Sequence, residues 1–132
     1  MRVALVSPMP PAKSGIADYA AALAGPLAEH VKLTVISGPG QPFDPQHFDA
    51  VVYQLGNNPF HSFVYKLALC HPGIAVLHEP NLHHLIVDMT VGRGDWDTYL
   101  QEVEYNGGPA ALAHARRARN LEVGPDYDGL PM

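Results

Sequence analysis

An α/β domain built on an open parallel sheet is what the sequence predicts, and three observations predict it. Short, nearly continuous apolar runs recur at Arg2–Val6, Leu33–Ile36, Ala50–Tyr53 and Ile74–Leu77, the pattern of parallel strands buried on both faces. Between the first and second runs, and again between the third and fourth, apolar residues recur at helical spacing. The segments that follow the runs, 7–15, 37–40, 54–58 and 78–81, are mostly polar. Alternating strands and helices give right-handed βαβ units, hence a Rossmann-like sheet with helices on both faces. Ligands of such sheets bind beyond the carboxyl ends of the strands, where the strand order reverses.

Each element has a local reason. Ile16, Tyr19, Ala20, Leu23 and Leu27 form the stripe of the first helix, with Ser14 at its N-cap, Asp18 at its positive end and Pro26 expected to kink it. Asn58 is placed to cap a helix starting at Pro59, with Phe60, Phe63, Val64 and Leu67 as its stripe. Pro80 is placed to open another, with Leu82, Leu85, Ile86 and Met89 on one side and His84 turned away. Asp95 caps a helix bearing Trp96, Tyr99, Leu100 and Val103, Gly107 and Gly108 stop it, and Pro109 starts one more, to about Asn120. No strand follows. The expectation is an incomplete, truncated domain over residues 1–121 and a loosely ordered tail over 122–132.

Composition removes several function classes. At 132 residues, 47% hydrophobic and 16% charged, the chain carries one core's worth of apolar surface and is not disordered. A net charge of −5 argues against a nucleic-acid partner. The cluster Arg116, Arg117 and Arg119 reads as a solvated helix face, with a phosphate or headgroup contact as the other reading. Cys70 is the single cysteine, which excludes an intrachain disulfide and fits the cytoplasm, attachment to the inner face of the membrane being left open. No apolar run approaches the roughly 20 residues of a membrane span.

The polar loops carry the candidate chemistry. In SPMPPAKSGIADY, a glycine at a helix start lets an anion approach first-turn amides, yet the loop is neither G-x-G-x-x-G nor a P-loop. In YQLGNNPFH, Asn58 reads as the helix cap, Gln54 and Asn57 are freer to bind ligand hydroxyls, and His61 is expected at the surface. In VLHEPNLHHL, His78, Glu79, His83 and His84 lack the H-E-x-x-H spacing of a metal site. On residues alone His78 reads as a strand-end histidine bonded to backbone. Cys70 is expected as a small buried hydrophobe, and no G-x-S-x-G elbow is present.

Taken in order, SPMPPAKSGIADYAAALAGPLAEH, VVYQLGNNPFHSFVYKLAL and HPGIAVLHEPNLHHL resemble the amino-terminal domain of retaining GT-B glycosyltransferases, the group 1 family, over most of residues 1–90. The resemblance implies transfer of a sugar from a nucleotide-diphosphate-sugar donor to an acceptor, with retention and with no metal or separate cofactor. It implies that Ser14 and Gly15 approach the donor diphosphate, with Lys13 adding charge at that mouth. His78 would position the sugar and stabilise the transition state, and Gln54, Asn57, Asn58 and Glu79 would lie toward acceptor or sugar. The family's donor-binding carboxylates and basic residues belong to a second domain, so the chain is expected to be inactive alone. Two further expectations stand beside it: a flavodoxin-like module binding a small ligand or nucleotide, and a dimer paired through the open sheet edge or the helical tail.

Overall fold

The computed structural model describes residues 1–130 and 132, and the chain divides into two compact units. The first comprises residues 1–56 and 60–78, the second residues 57–59 and 79–132.

The first unit is the sheet unit. Its order is β1 (Arg2–Val6), α1 (Gly15–Ala28), β2 (Lys32–Ile36), β3 (Ala50–Leu55), α2 (Ser62–Cys70) and β4 (Ile74–Leu77). The four strands pair in the order β2-β1-β3-β4, all parallel, so every carboxyl end lies on one rim. The chain steps from β1 to β2 in one direction and from β3 to β4 in the other. The order therefore reverses between β1 and β3, and right-handed crossovers place α1 and α2 on opposite faces.

Register sorts the core between those faces. Ala4 pairs with Val51 and Val6 with Tyr53, and these four pack with Ile36, Leu55 and Val64 of α2 into one buried cluster, flanked by Phe43, Phe48, Phe63 and Leu67. Val3 and Leu5 point to the other face, where Ala17 and Ala20 of α1 are fully buried. Alanines at the α1 contact let the helix come close to the sheet. Each large side chain so buried contributes about 1.5–3 kcal/mol. β2 and β4 are the edge strands of the sheet, and on β4, which pairs with β3, Ile74 and Leu77 remain more than half exposed, at 57% and 55%.

Several local expectations are corrected. Pro26 lies inside α1, which runs on to Ala28, so it does not interrupt the helix even though its missing N–H removes one backbone hydrogen bond. β3 runs two residues beyond Tyr53, so Gln54 belongs to the strand and not to the loop. Pro59 opens a 3-10 turn, Pro59–His61, and the α-helix starts only at Ser62. Cys70, at the end of α2, is exposed rather than buried.

The second unit holds α3 (His83–Met89), a 3-10 turn at Val91–Arg93, and α4 (Trp96–Arg119). Leu82, Leu85 and Ile86 are buried as the periodicity predicts, as are Tyr99 and Val103; Ala115 is buried as well. Pro80 does not open α3; the Asn81 carboxamide accepts from the His83 N–H at 2.8 Å and marks the start instead. Asp95 caps α4, its Oδ1 accepting from the Thr98 N–H at 3.0 Å. The expected break falls at Gly108, whose φ of 70° and ψ of −165° are non-helical, so α4 is two helices joined at a kink. The tail makes specific contacts: the Tyr127 carbonyl accepts from Asn81 Nδ2 at 2.8 Å, and its ring stacks on His84 with centroids 4.3 Å apart. Arg117 pairs with Glu122 and Arg119 with Asp97 across exposed surface, the solvated face read from the sequence.

Candidate functional site

On the carboxyl rim of the first unit, the loop after β1 leads into α1. Ser7 is buried, its N–H donating to the Ile36 carbonyl and its hydroxyl to the Pro8 carbonyl. Ser14 holds the N-cap position in extended geometry, but its side chain caps nothing. Its carbonyl takes the Ala17 and Asp18 N–H groups at 2.9 and 3.2 Å. Lys13, Ser14, Gly15 and Asp18 share a shallow depression of about 440 Å³ with Pro10, Pro11 and Ala12. A Cβ on Gly15 would meet nothing within 4 Å, so the fold itself leaves that side of the backbone open to approach.

His78 follows β4 on the same rim. Its N–H donates to the Leu55 carbonyl at 3.0 Å, extending the β3–β4 ladder. Its ring Nε2 is hydrogen bonded to Gln54 Oε1 at 2.5 Å. The ring also stands edge-on to Tyr19 of α1, centroids 5.2 Å apart at 74°. Tyr19 is one helical turn beyond Gly15, so the structure brings His78 beside the first turn of α1. Gln54 pairs in register with Val76, which puts Gln54, Val76 and His78 on the α1 face. The expectation for Gln54 is corrected: at 2% exposure it is buried, and its amide oxygen is engaged by the histidine instead of being offered to a ligand.

His61 is corrected in the same way. It is fully buried, and its Nδ1–H donates to the Gln54 backbone carbonyl at 2.8 Å. Gly56, just past β3, has no room for a side chain: a Cβ there would lie 2.2 Å from Ile16 Cδ1 and 3.0 Å from His61 Nε2. Close approach of α1 to the end of β3 therefore fixes this glycine at the point where the strand order reverses.

The remaining sequence-derived candidates belong to the second unit. Asn57 was expected to be free for ligand hydroxyls, but its Oδ1 accepts from the Leu85 N–H at 2.9 Å. That bond satisfies a first-turn donor of α3 that has no partner within the helix. Asn58 is partly buried and precedes a 3-10 turn, so it does not cap an α-helix as expected. Glu79 is exposed.

His83, given no role from the sequence, is fully buried and hydrogen bonded through Nε2 to the Tyr99 hydroxyl at 2.9 Å. Burial pushes its pKa below the usual imidazole range, and the Tyr127 and Leu130 backbones offset part of that. Burial likewise raises the Tyr99 phenol. A cavity of about 440 Å³ lies beside them, lined among others by Asn106, His114 and Leu130. The contacts of His83 and of Asn57 join residues 16 and 28 positions apart, which leaves no periodic trace in the sequence. Tyr19 carried a usable signal, its spacing of four from Gly15, but hydrophobic periodicity assigned it to the core; it is 50% exposed.

Among the described residues, no group of three or more His, Cys, Asp or Glu side chains is arranged to hold a metal ion, and no helix is long and apolar enough to cross a membrane. No protein-family model, curated protein sequence or solved structure matches the chain.

Proposed function

We propose that this chain is the amino-terminal, acceptor-side domain of a retaining GT-B glycosyltransferase, and that turnover requires a separate donor-binding domain. The observation that supports this most directly is the position of His78. It sits at the carboxyl end of β4, against the Tyr19 ring in the first helical turn after Gly15. An imidazole and a helix amino terminus then flank one stretch of rim, as the resemblance over residues 1–90 requires. The Gly15 and Ile16 amides have no backbone acceptor among the described residues, so they are donors for an anion, and the helix dipole favours negative charge there. Negative charge grows on the departing diphosphate during sugar transfer, and preorganised amides stabilise it without reorganising. Ser14 and Lys13 border the same depression. His78 would then contact the transferred sugar.

The test is a titration of the isotopically labelled chain with pyrophosphate and with uridine- and guanosine-diphosphate sugars. Shifts are expected at the Gly15 and Ile16 amides and the His78 ring, with millimolar affinity, about −4 kcal/mol. Sugar transfer is expected only after a donor-binding domain is supplied. Full transfer by these residues alone, or ligand shifts confined to other positions, would overturn the reading.

One observation favours a second reading. The order β2-β1-β3-β4 reproduces the first four positions of the flavodoxin-type sheet, which binds its ligand at the β1/β3 reversal. A module for a small ligand or nucleotide would use the same rim. Stoichiometric quenching of flavin mononucleotide fluorescence by the purified chain would select it. Under either reading an edge strand of the sheet, β2 or β4, is the place for a further strand or a second copy to pair, and size-exclusion chromatography across concentrations reads out the second copy.

A further inference from the structure

We infer that Gln54 is the positioning residue for His78, holding the ring as the Nε2–H tautomer so that Nδ1 carries the lone pair. This rests on the proposed role of His78 for its functional meaning, while the geometry stands on the first unit alone.

Three observations carry it. The Gln54 side chain is 2% exposed yet polar, and its Oε1 lies 2.5 Å from His78 Nε2. A buried amide on an otherwise apolar strand costs free energy unless it is hydrogen bonded, so its place in β3 calls for a partner, and the partner is this ring. A carboxamide oxygen has no proton to give; facing Nε2, it accepts, and the imidazole donates. Nδ1 is then the nitrogen left to accept.

The supporting shell is rigid. Gln54 is flanked by buried Tyr53 and Leu55, its backbone carbonyl takes the His61 Nδ1–H, and its register to Val76 fixes which face it uses. The Tyr19 ring makes a T-shaped contact with the imidazole. The His78 backbone is tied to Leu55. Ring rotation is thus limited from β3, from β4 and from α1, and the tautomer is set by one bond. A histidine so held presents a hydrogen-bond acceptor to a substrate hydroxyl, whereas the other tautomer would present a donor. The assigned chemistry is therefore acceptance, at Nδ1, of a hydrogen bond from a hydroxyl of the sugar or acceptor.

The test uses the whole chain and ring-nitrogen-edited NMR spectra. In the unsubstituted protein a slowly exchanging His78 Nε2–H is expected, with a cross-peak to the Gln54 side chain and ring contacts to Tyr19. Gln54→Met, which keeps volume but removes the acceptor, should lose the protected ring proton and weaken the Tyr19 contact. Gln54→Glu, which keeps an acceptor at the same reach, should retain both. A protected proton on Nδ1 in the unsubstituted protein, or an unchanged ring spectrum in Gln54→Met, would overturn the inference. Should Gln54→Met fail to fold, the unsubstituted spectrum and Gln54→Glu still decide the matter. The two proposals fail separately: a locked ring that nucleotide sugars and acceptor sugars leave unmoved would sink the transferase reading and leave the lock standing. An unlocked ring that responds to them would do the reverse.

Discussion

Replacing Gly56 by alanine tests whether the approach of α1 to the end of β3 holds the candidate site together. A Cβ at that position would stand 2.2 Å from Ile16 Cδ1, about 1.2 Å short of ordinary contact, and 3.0 and 3.3 Å from two atoms of the His61 ring. The isoleucine terminus can swing away. The His61 ring is far less free, being fully buried and bonded to the Gln54 carbonyl. Overpacking of this kind costs about 1–3 kcal/mol, and each kcal/mol lowers the melting temperature of a 60–100-residue unit by about 4–8 °C. Ile16→Val removes the clashing methyl at a cost of about 0.5–1.5 kcal/mol by itself. The double variant should therefore be more stable than the sum of the single losses by about 1 kcal/mol, a coupling expected only for side chains in contact. Urea denaturation of the four proteins measures this, and the Tyr19–His78 ring contact reports whether α1 has shifted over the rim. A Gly56→Ala protein within about 0.5 kcal/mol of the original, with no coupling to Ile16→Val, would refute the close approach and with it the placement of α1 beside His78.

Other consequences are quicker to state. Ser14→Ala should change stability by less than about 0.5 kcal/mol, since its side chain caps nothing, whereas Asp95→Ala should cost about 0.5–2 kcal/mol for the lost bond to Thr98; equal losses in chemical denaturation would contradict the cap geometry. Gly108→Ala meets no atom within 4 Å but must hold φ near 70° and ψ near −165°, so a purely conformational cost of about 1–3 kcal/mol is expected, and thermal unfolding at unchanged stability would show that the kink is not needed. His83 has a folded-state pKa below its ordinary 6.5, so the unfolded chain takes up the proton first. Its contribution to stability is complete above about that pH and is lost as the pH falls toward the folded value. Urea midpoints between pH 8 and 5 should drop for the original protein and flatten in His83→Gln; parallel curves would show that another group is responsible.

The four strands were legible because a strand covered on both faces must be apolar at nearly every position, and such runs stand out against polar loops. The same rule misplaced the end of β3. Gln54 breaks the apolar run, and only a partner 24 residues away explains why an amide is buried there. Helix starts were misread for a related reason. Asn58, Pro59 and Pro80 carry good local signals, but a cap is chosen by which backbone N–H lacks a partner. For α3 those donors are met by Asn81 and by Asn57, the latter 28 residues distant. Tyr19 shows the limit of periodicity: the buried face of α1 is marked by the small residues Ala17 and Ala20, while Tyr19 is half exposed and lies against His78. Strand ends located His78 and the loop before Gly15 correctly because parallel topology sends every carboxyl end to one rim. What topology does not encode is which side chains there are already committed to one another. Gln54 and Asn57, chosen as the free amides, are the two the fold uses. Among the described residues, Lys13 and Ser14 keep side-chain polar atoms that no other part of the chain engages, and ligand-induced change should consequently be sought there first.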